Sequence, residues 1–292
     1  MPEKVLLATD GSKDAALAAR AAVDVCEGTG AELHVVHVWF NVPTARLRPF
    51  MRAELKKLGN ELLEEGVKRV EDSGGHVSNT YLLEGRAADE ILDLAGRIGA
   101  DLVVMGSRGL GPVGRIALGS VSEAVIHHSH WPVLMLRGED AWPPERVILG
   151  DNDSEAARAA GDLGASLCGR HGARALLLHA YPRLPEVVAE GRRSNPRIGD
   201  DELRKAEKAL LERSQELESR LGSRPETRLV VGDAAACLLE AAEEDAPERT
   251  LLAVGSRGLG VIGRMRLGSV STKVVHAAKG PVLVHPPLRG ET

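Results

Sequence analysis

One stretch of the chain occurs twice with little change. Residues 106–122 are GSRGLGPVGRIALGSVS and residues 255–271 are GSRGLGVIGRMRLGSVS, so 13 of 17 positions are identical at a separation of 149 residues. That separation is about half of the 292-residue chain, and a globular domain has roughly 150 residues. The sequence therefore predicts two copies of one domain in tandem.

The similarity of the halves begins at their N-terminal ends. An offset of 142 residues aligns VLL at 5–7 with VIL at 147–149. The same offset aligns Ser12 with Ser154, Cys26 with Cys168, and His37 with His179. Between the copies, residues 138–145 (GEDAWPPE) contain a glycine and two prolines, which are typical of a connecting segment. We predict domains at 1–138 and 145–288, joined by a linker at 139–144.

Short apolar runs alternate with longer amphipathic segments in both halves. Continuous apolar runs are typical of strands buried on both faces, and apolar spacings of three and four are typical of helices. The predicted strands are 5–8, 33–38, 77–83, 102–105 and 133–136, then 147–150, 175–179, 227–231, 251–254 and 282–285. The predicted helices include 13–26 and 87–97, and the charged stretches 52–69 and 200–220 are also expected to be helical. This order predicts an α/β fold of two tandem domains, each a five-stranded parallel sheet with helices on both faces.

Composition excludes several classes of partner and compartment. A net charge of −5 with 27% charged residues offers no basic excess, so we expect no nucleic-acid and no membrane partner. The sequence has no apolar run of about 18 residues, and its start, MPEKVLLATD, lacks the pattern of a signal peptide. Three cysteines without a CxxC motif argue against a disulfide framework. We expect a cytoplasmic protein.

The repeated stretch has the chemistry of an anion-binding loop. It follows the fourth predicted strand, and ligands of open α/β sheets bind at the carboxyl ends of the strands. Glycines allow successive backbone N–H groups to point toward one centre. Ser120 and Ser122 begin a predicted helix whose dipole favours an anion, and Arg115 offers a guanidinium fork. The stretch therefore predicts a site for several phosphates.

Two familiar phosphate motifs do not fit. The Walker pattern GxxxxGK[ST] is absent from the sequence. GLGPVG and GLGVIG each match GxGxxG, but a dinucleotide site places this motif after the first strand. The spacing Gly106-x2-Gly109-x9-Gly119-Ser120 is different, and it is repeated in the second half from Gly255.

This spacing resembles the ATP-binding signature of the universal stress protein family. The resemblance covers both halves, through VLLATDGS, LHVVHV, EGRAADEI, ADLVVMGSRG, HWPVLML and KGPVLVH. It implies a tandem member with a Rossmann-like fold that binds ATP, with Mg²⁺ as the accompanying cation. In the first half it assigns the nucleotide to Ala8, Thr9, Asp10, Val38, Met105, Gly106, Arg108, Gly109, Arg115, Gly119, Ser120, Val121 and Ser122. In the second half the positions are Gly150, Asp151, Asn152, Ala180, Val254, Gly255, Arg257, Gly258, Arg264, Gly268, Ser269, Val270 and Ser271.

The two predicted sites differ at the end that would hold base and ribose. Asn152 aligns with Asp10, although Asp151 beside it offers a carboxylate after a shift of one residue. Ala180 aligns with Val38 and presents less apolar surface to a base. Asp10 itself has two roles open, a ribose ligand or the N-cap of the first helix, and Ser12 is able to cap instead. We expect ATP to bind both halves and the first more tightly.

The resemblance implies a nucleotide-dependent stress-response regulator or sensor. Residues 106–122 and 255–271 contain no Asp, Glu, His or Lys, and phosphoryl transfer needs such groups. We therefore expect little or no catalysis. The alternatives are a slow ATPase and a dimerisation scaffold. In this family the fifth strand commonly pairs with a partner, so 133–136 and 282–285 are expected to form an intramolecular pseudo-dimer, with a homodimer as a further step.

Two further groups of side chains have a structural and a functional interpretation. His127, His128 and His130 form either a metal site or a favourable cationic end of the fourth helix, and we favour the helix end. Cys26 and Cys168 are either buried packing residues or redox sensors, and we favour packing.

Overall fold

The computed structural model describes residues 1–39, 49–109, 118–181, 187–189, 192–194, 200–256 and 267–288. In the first half, five strands alternate with four helices. These are β1 (Lys4–Ala8), α1 (Lys13–Thr29), β2 (Glu32–Trp39), α2 (Pro49–Asp72), β3 (Asn79–Glu84), α3 (Ala87–Ile98), β4 (Leu102–Gly106), α4 (Ser120–His128) and β5 (Val133–Leu136).

The second half repeats this order with one addition. Its elements are β6 (Arg146–Asp151), α5 (Glu155–Gly169), β7 (Arg174–Tyr181), β8 (Val187–Ala189), β9 (Arg192–Ser194), α6 (Asp200–Leu221), β10 (Glu226–Val231), α7 (Ala234–Glu243), β11 (Thr250–Gly255), α8 (Ser269–Ala277) and β12 (Val282–His285). The short antiparallel pair of β8 and β9 is not predicted from the sequence. A 3-10 turn at Pro247–Arg249 precedes β11, since proline cannot continue the helix before it.

The ten larger strands form one sheet. Its order is β10-β7-β6-β11-β12-β5-β4-β1-β2-β3, and all pairs within a half are parallel. The halves meet where β5 and β12 run antiparallel, with Leu134 opposite Leu283. Arg137 follows β5 and donates from Nη1 to the Ala278 carbonyl at 2.8 Å. The predicted pairing of the two fifth strands within the chain is confirmed, as is the α/β fold.

Serine caps start the first helix of each half. Ser12 has extended backbone angles, and its Oγ accepts from the backbone N–H of Ala15 at 3.1 Å. Ser154 caps α5 in the same way through the N–H of Ala157. An N-cap of this kind is worth roughly 1 kcal/mol relative to alanine.

Both faces of the sheet are covered, which accounts for the continuous apolar strands. One core contains alternate residues such as Val5 and Leu7 together with side chains of α1, α2, α5 and α6. The other core contains Leu6 and Ala8 together with side chains of α3, α4, α7 and α8. Alternate strand residues point to opposite faces, so strands with two buried faces lose the polar alternation of a half-exposed sheet.

The predicted linker packs against the first helix of the first half. Ala141 is fully buried and Trp142 is 5% exposed. The indole Nε1 of Trp142 donates to Asp24 Oδ2 at 2.9 Å, and His171 Nε2 lies 2.8 Å from the same oxygen. Asp24 therefore ties together α1, the connecting segment and the end of α5, and the segment forms part of the contact between the halves.

Candidate functional site

A cavity of about 270 Å³ opens at the carboxyl ends of the strands in the first half. Its walls come from the ends of β1, β2 and β4, from α3, and from the start of α4. The lining residues are Ala8, Thr9, Asp10, Val36, Val38, Ile91, Met105, Gly106, Arg108, Gly109, Gly119, Ser120, Val121 and Ser122. All twelve described residues that the sequence assigned to the nucleotide in this half are among them; Arg115 lies outside the described residues.

The sheet topology determines where the cavity lies. β1 lies between β2 and β4, with Ala8 opposite Val36 on one side and Met105 on the other. The chain passes from β1 to β2 in one direction and returns to β4 on the other side, so β1 is at the switch point of the sheet. Open α/β sheets leave a crevice at such a point.

Asp10 is not the cap of the first helix. Ser12 takes that role, and Asp10 Oδ1 accepts from the backbone N–H of Ser12 at 3.0 Å. Its other carboxylate oxygen is directed at the loop, because a Cβ on Gly109 would lie 2.5 Å from Asp10 Oδ2. Of the two roles that the sequence leaves open for Asp10, the N-cap of the first helix is therefore excluded. Its role as a ribose ligand stays a prediction.

The loop after β4 is fastened to α1 by an acid that the sequence analysis missed. Asp14 accepts hydrogen bonds from Arg108 Nε at 3.1 Å, Arg108 Nη2 at 3.3 Å and Ser107 Oγ at 2.8 Å. Ser12 Oγ also donates to the Arg108 carbonyl at 3.1 Å. Asp14 was visible only as a residue in the first turn of a predicted helix, and nothing local indicated a partner 94 residues away.

The N-terminus of α4 borders the cavity without a side-chain cap among the described residues. Its N-cap is Gly119, whose N–H donates to the Ser107 carbonyl at 2.8 Å. Ser122 Oγ donates to the Gly106 carbonyl at 2.9 Å, and Ser120 is exposed. Ser120, Val121 and Ser122 line the cavity at this helix N-terminus, where the backbone amides and the helix dipole favour an anion.

His37 shapes the cavity indirectly. Its Nδ1 lies 2.8 Å from the Thr9 carbonyl, and a carbonyl only accepts, so the proton is on Nδ1. The contact ties β2 to the end of β1 and leaves Val38, the next residue, on the cavity wall. His37 is 7% exposed, so it is a buried residue near the end of β2.

The second half has the same backbone arrangement. The N–H of Gly268 donates to the Ser256 carbonyl, and Ser271 Oγ donates to the same oxygen at 3.1 Å. Ser269 is exposed and Val270 half-buried at the start of α8, whose N-cap, Gly268, has no described side-chain partner either. The backbone bond of the N-cap glycine is thus the same in both halves, whereas the hydroxyl of Ser271 has a different acceptor from that of Ser122. Arg257, Gly258 and Arg264 lie outside the described residues.

The side chains at the ends of β6 and β7 are different from those of the first half. Asn152 Oδ1 accepts from the N–H of Ser154 at 3.2 Å, as Asp10 does from Ser12, so the alignment needs no shift. Asp151 takes the position of Thr9, and its Oδ2 lies 3.1 Å from His179 Nδ1. Gly150 aligns with Ala8 of the first half. A Cβ on Gly150 would lie 3.3 Å from atoms of Leu238 and Val254, which is a tight contact, so the second half has little space for the alanine methyl group here.

The three cysteines are free thiols. Burial raises the pKa of Cys26 to about 12, and burial raises the pKa of Cys168 further. A thiolate is the reactive form, so these two positions favour packing over redox sensing. His127 and His128 end α4, in agreement with the helix-end interpretation. In the described segments, no helix combines the length and apolar character needed to cross a membrane.

Fold and cavity define a tandem α/β protein in which a glycine-rich loop and a helix N-terminus border the carboxyl edge of the sheet. The model of the universal stress protein family matches residues 1–137 and 144–286. The chain belongs to the universal stress protein family.

Relatives and a solved structure agree with this assignment. A universal stress protein of Thermus aquaticus is 39% identical over 137 residues, which cover 47% of this chain and all of that protein. One of Mycolicibacterium smegmatis is 28% identical over 295 residues and covers 96% of both chains. The crystal structure of a universal stress protein from Archaeoglobus fulgidus has a TM-score of 0.69 at 22% identity, covering 97% of this chain and 98% of that one. This last similarity shows the fold.

Proposed function

We propose that the first half binds ATP in the cavity at its carboxyl edge, and that the chain acts as a nucleotide-dependent regulator or sensor in a stress response. The observation that carries the proposal is the lining of that cavity. Twelve residues assigned from the sequence to a nucleotide lie around one space of about 270 Å³, close to the lower end of small-molecule pockets, about 300 Å³.

The two ends of the cavity suit the two ends of a nucleotide. Val36, Val38, Ile91 and Met105 offer apolar surface for a base. Gly109, Gly119 and the amides at the start of α4 offer backbone donors and a positive dipole for phosphates. Asp10 lines the same cavity beside Gly109, and a carboxylate accepts hydrogen bonds from two ribose hydroxyls.

We propose little or no catalysis. Asp10 is the sole carboxylate among the described lining residues, and phosphoryl transfer calls for metal-holding carboxylates together with a group that orients the nucleophile. Mg²⁺ would accompany the nucleotide through its phosphate oxygens and water. A slow ATPase is the second candidate, and release of inorganic phosphate under single-turnover conditions distinguishes the two.

Pairing of β5 with β12 supports a pseudo-dimer within one chain, in which each half supplies the strand that the other half would otherwise take from a second copy. The second site is proposed to bind ATP more weakly, because Ala180 replaces Val38 and Asn152 replaces Asp10. A homodimer of the whole chain and a cytoplasmic location belong to the same proposal.

Calorimetric titration of the nucleotide-free chain with ATP and Mg²⁺ tests the proposal. We expect a tight site that weakens about 10-fold or more in Asp10→Ala, because hydrogen bonds to a charged group are worth about 1.5–3 kcal/mol. The matched variant Asn152→Ala removes the same backbone contact in the second half, and we expect it to leave the tight site unchanged. A wild-type chain that takes up no ATP, with both variants folded by circular dichroism, would support the scaffold alternative instead.

A further inference from the structure

Three metal-ligating side chains meet at the carboxyl edge of the second half. One donor atom each from Asp151, Asp153 and His179 lies within 4.8 Å of the other two. In the part of the chain that the structure describes, this is the one group of three or more such residues with that property. The sequence analysis assigned Asp151 to a nucleotide, and it did not connect Asp153 with His179.

The strand register brings the first two together. Asp151 ends β6 directly opposite His179 on the parallel neighbour β7, so their side chains leave the sheet on the same face. The Nδ1–Oδ2 distance of 3.1 Å is that of a hydrogen bond and also that of two donors around one cation. Asp151 is 9% exposed, and the side chain of His179 is 13% exposed.

Asp153 completes the group from the solvent side. Its φ is +61°, a left-handed conformation. The side chain is 51% exposed, which provides a path from solvent to the two inner donors. Arg158 Nη2 lies 3.7 Å from Asp153 Oδ1, and Arg158 also has Glu216 at 3.9 Å, so it keeps a partner when Asp153 turns to a cation.

The first half has no equivalent of this group. The aligned residues are Thr9, Gly11 and His37, and the histidine there contacts a carbonyl instead of a carboxylate. Gly11 has a φ of +81°, which glycine adopts freely. The second half therefore has two additional carboxylates around the shared histidine, one of them in a conformation that L-residues other than Asn and Asp seldom adopt.

We propose that the second half binds one divalent transition-metal cation through a carboxylate oxygen of Asp151, a carboxylate oxygen of Asp153 and Nδ1 of His179. A mixed set of carboxylate and imidazole donors suits Zn²⁺ and its neighbours better than Mg²⁺ or Ca²⁺, which take oxygen ligands. Two carboxylates and a neutral imidazole balance the charge of the cation. Three protein donors leave a coordination position open for water or a ligand.

The test uses the metal alone, so its outcome is separate from that of the ATP titration. The full chain is freed of metal with a chelator and titrated with Zn²⁺ by calorimetry in the absence of nucleotide. We expect one Zn²⁺ per chain from this group. Substitution of Co²⁺ should give visible absorption bands characteristic of nitrogen and oxygen ligation, and these should change in His179→Gln.

Asp153→Gly is the most informative variant. Glycine favours the left-handed backbone, so the variant should fold at least as stably as the wild type, while Zn²⁺ affinity falls at least about 10-fold. Asp151→Asn keeps the shape of the side chain and should have the same effect on affinity. Asp140→Gly is the matched control, because Asp140 is also an exposed aspartate at positive φ, with Arg20 at 3.4 Å, and should leave Zn²⁺ binding unchanged.

Two results would overturn the proposal. One is a wild-type chain that binds no Zn²⁺ in stoichiometric amounts. The other is a Zn²⁺ affinity that Asp153→Gly and Asp151→Asn leave as it was, or that Asp140→Gly lowers equally. Either result would make the contact of Asp151 with His179 a simple hydrogen bond.

Discussion

The carboxyl edges of the two halves share a backbone and differ in side chains. In both, a serine caps the first helix, a glycine is the N-cap of the helix after the loop, and a histidine lies near the end of the second strand. Thr9, Asp10 and Val38 of the first edge are replaced by Asp151, Asn152 and Ala180. The comparison shows that the backbone arrangement of this edge is kept in both copies of the domain while the side chains along it differ.

The attachment of the loop differs as well. Asp14 holds Arg108 and Ser107 in the first half, and Ala156 takes its place in the second. Ser256, the counterpart of Ser107, has a buried hydroxyl without a hydrogen-bond partner among the described residues. Among the described residues, Ser256 therefore lacks the hydrogen bond that Asp14 accepts from Ser107 in the first half.

Adding a methyl group at the end of β4 or β11 should cause the largest loss of stability, and the loss should be equal in the two halves. A Cβ on Gly106 would lie 2.8 Å from the Asp14 carbonyl carbon, and one on Gly255 would lie 2.7 Å from the Ala157 nitrogen. Backbone atoms cannot move aside easily, so each alanine variant should lose about 1–3 kcal/mol in urea unfolding. Gly96→Ala in α3 meets only ordinary contacts with Trp131 and serves as the control. Wild-type stability in either variant would contradict the close approach.

Asp14→Ala should cause the next largest loss of stability. It leaves Arg108 and Ser107 without their acceptor, and we expect a loss of about 1–2 kcal/mol in the first half, since Arg108 is partly exposed. The affinity of the first half for ATP should fall with it. A first half whose stability and affinity survive Asp14→Ala would show that this attachment is incidental.

Exchange of the residue on the cavity wall tests the ranking of the two sites. Val38→Ala removes apolar surface and should weaken ATP binding in the first half about 5-fold, or about 1 kcal/mol. Ala180→Val should strengthen binding in the second half. Calorimetry of both variants measures the two ATP affinities. A Val38→Ala chain with wild-type affinity would show that the apolar side chain of Val38 does not contribute to ATP binding.

The smallest expected effect is a pH dependence confined to the second half. Burial lowers the pKa of His285 below its ordinary value of 6.5, with a contact to the Pro286 carbonyl opposing the shift. The unfolded chain then binds more protons, so this contribution to stability is complete above pH 6.5 and is lost as the pH falls toward the folded pKa. Leu136 is the aligned residue in the first half. Unfolding of His285→Leu should depend less on pH between 7 and 5 than unfolding of the wild type, and identical slopes would refute the assignment.

The regular elements could be predicted because their signals are local. The runs at 133–136 and 282–285 match the strands residue for residue, and 13–26 lengthens only at its end, to Thr29. Contacts between distant residues could not be predicted in this way. The bond of Trp142 with Asp24 and the bonds of Asp14 with Arg108 depend on packing that no spacing in the sequence encodes.

The same distinction between local and long-range signals applies to the candidate site. The family resemblance assigned twelve described residues of the first half to a nucleotide, and these residues line one cavity. Their role in binding a nucleotide stays a prediction. The group of Asp151, Asp153 and His179 depends on the register of β6 and β7 and on a left-handed residue. An alignment of the halves does place both aspartates opposite Thr9 and Gly11, and that signal was available in the sequence.

Hydrogen exchange during a titration with ATP tests the central claim most directly, because it reports on both edges of one molecule. Peptides that contain 8–10 and 118–122 cover the first edge, and those with 150–152 and 267–271 cover the second. The account predicts that the first pair becomes protected at a lower ATP concentration than the second. Protection of the second edge first, or of neither, would contradict it.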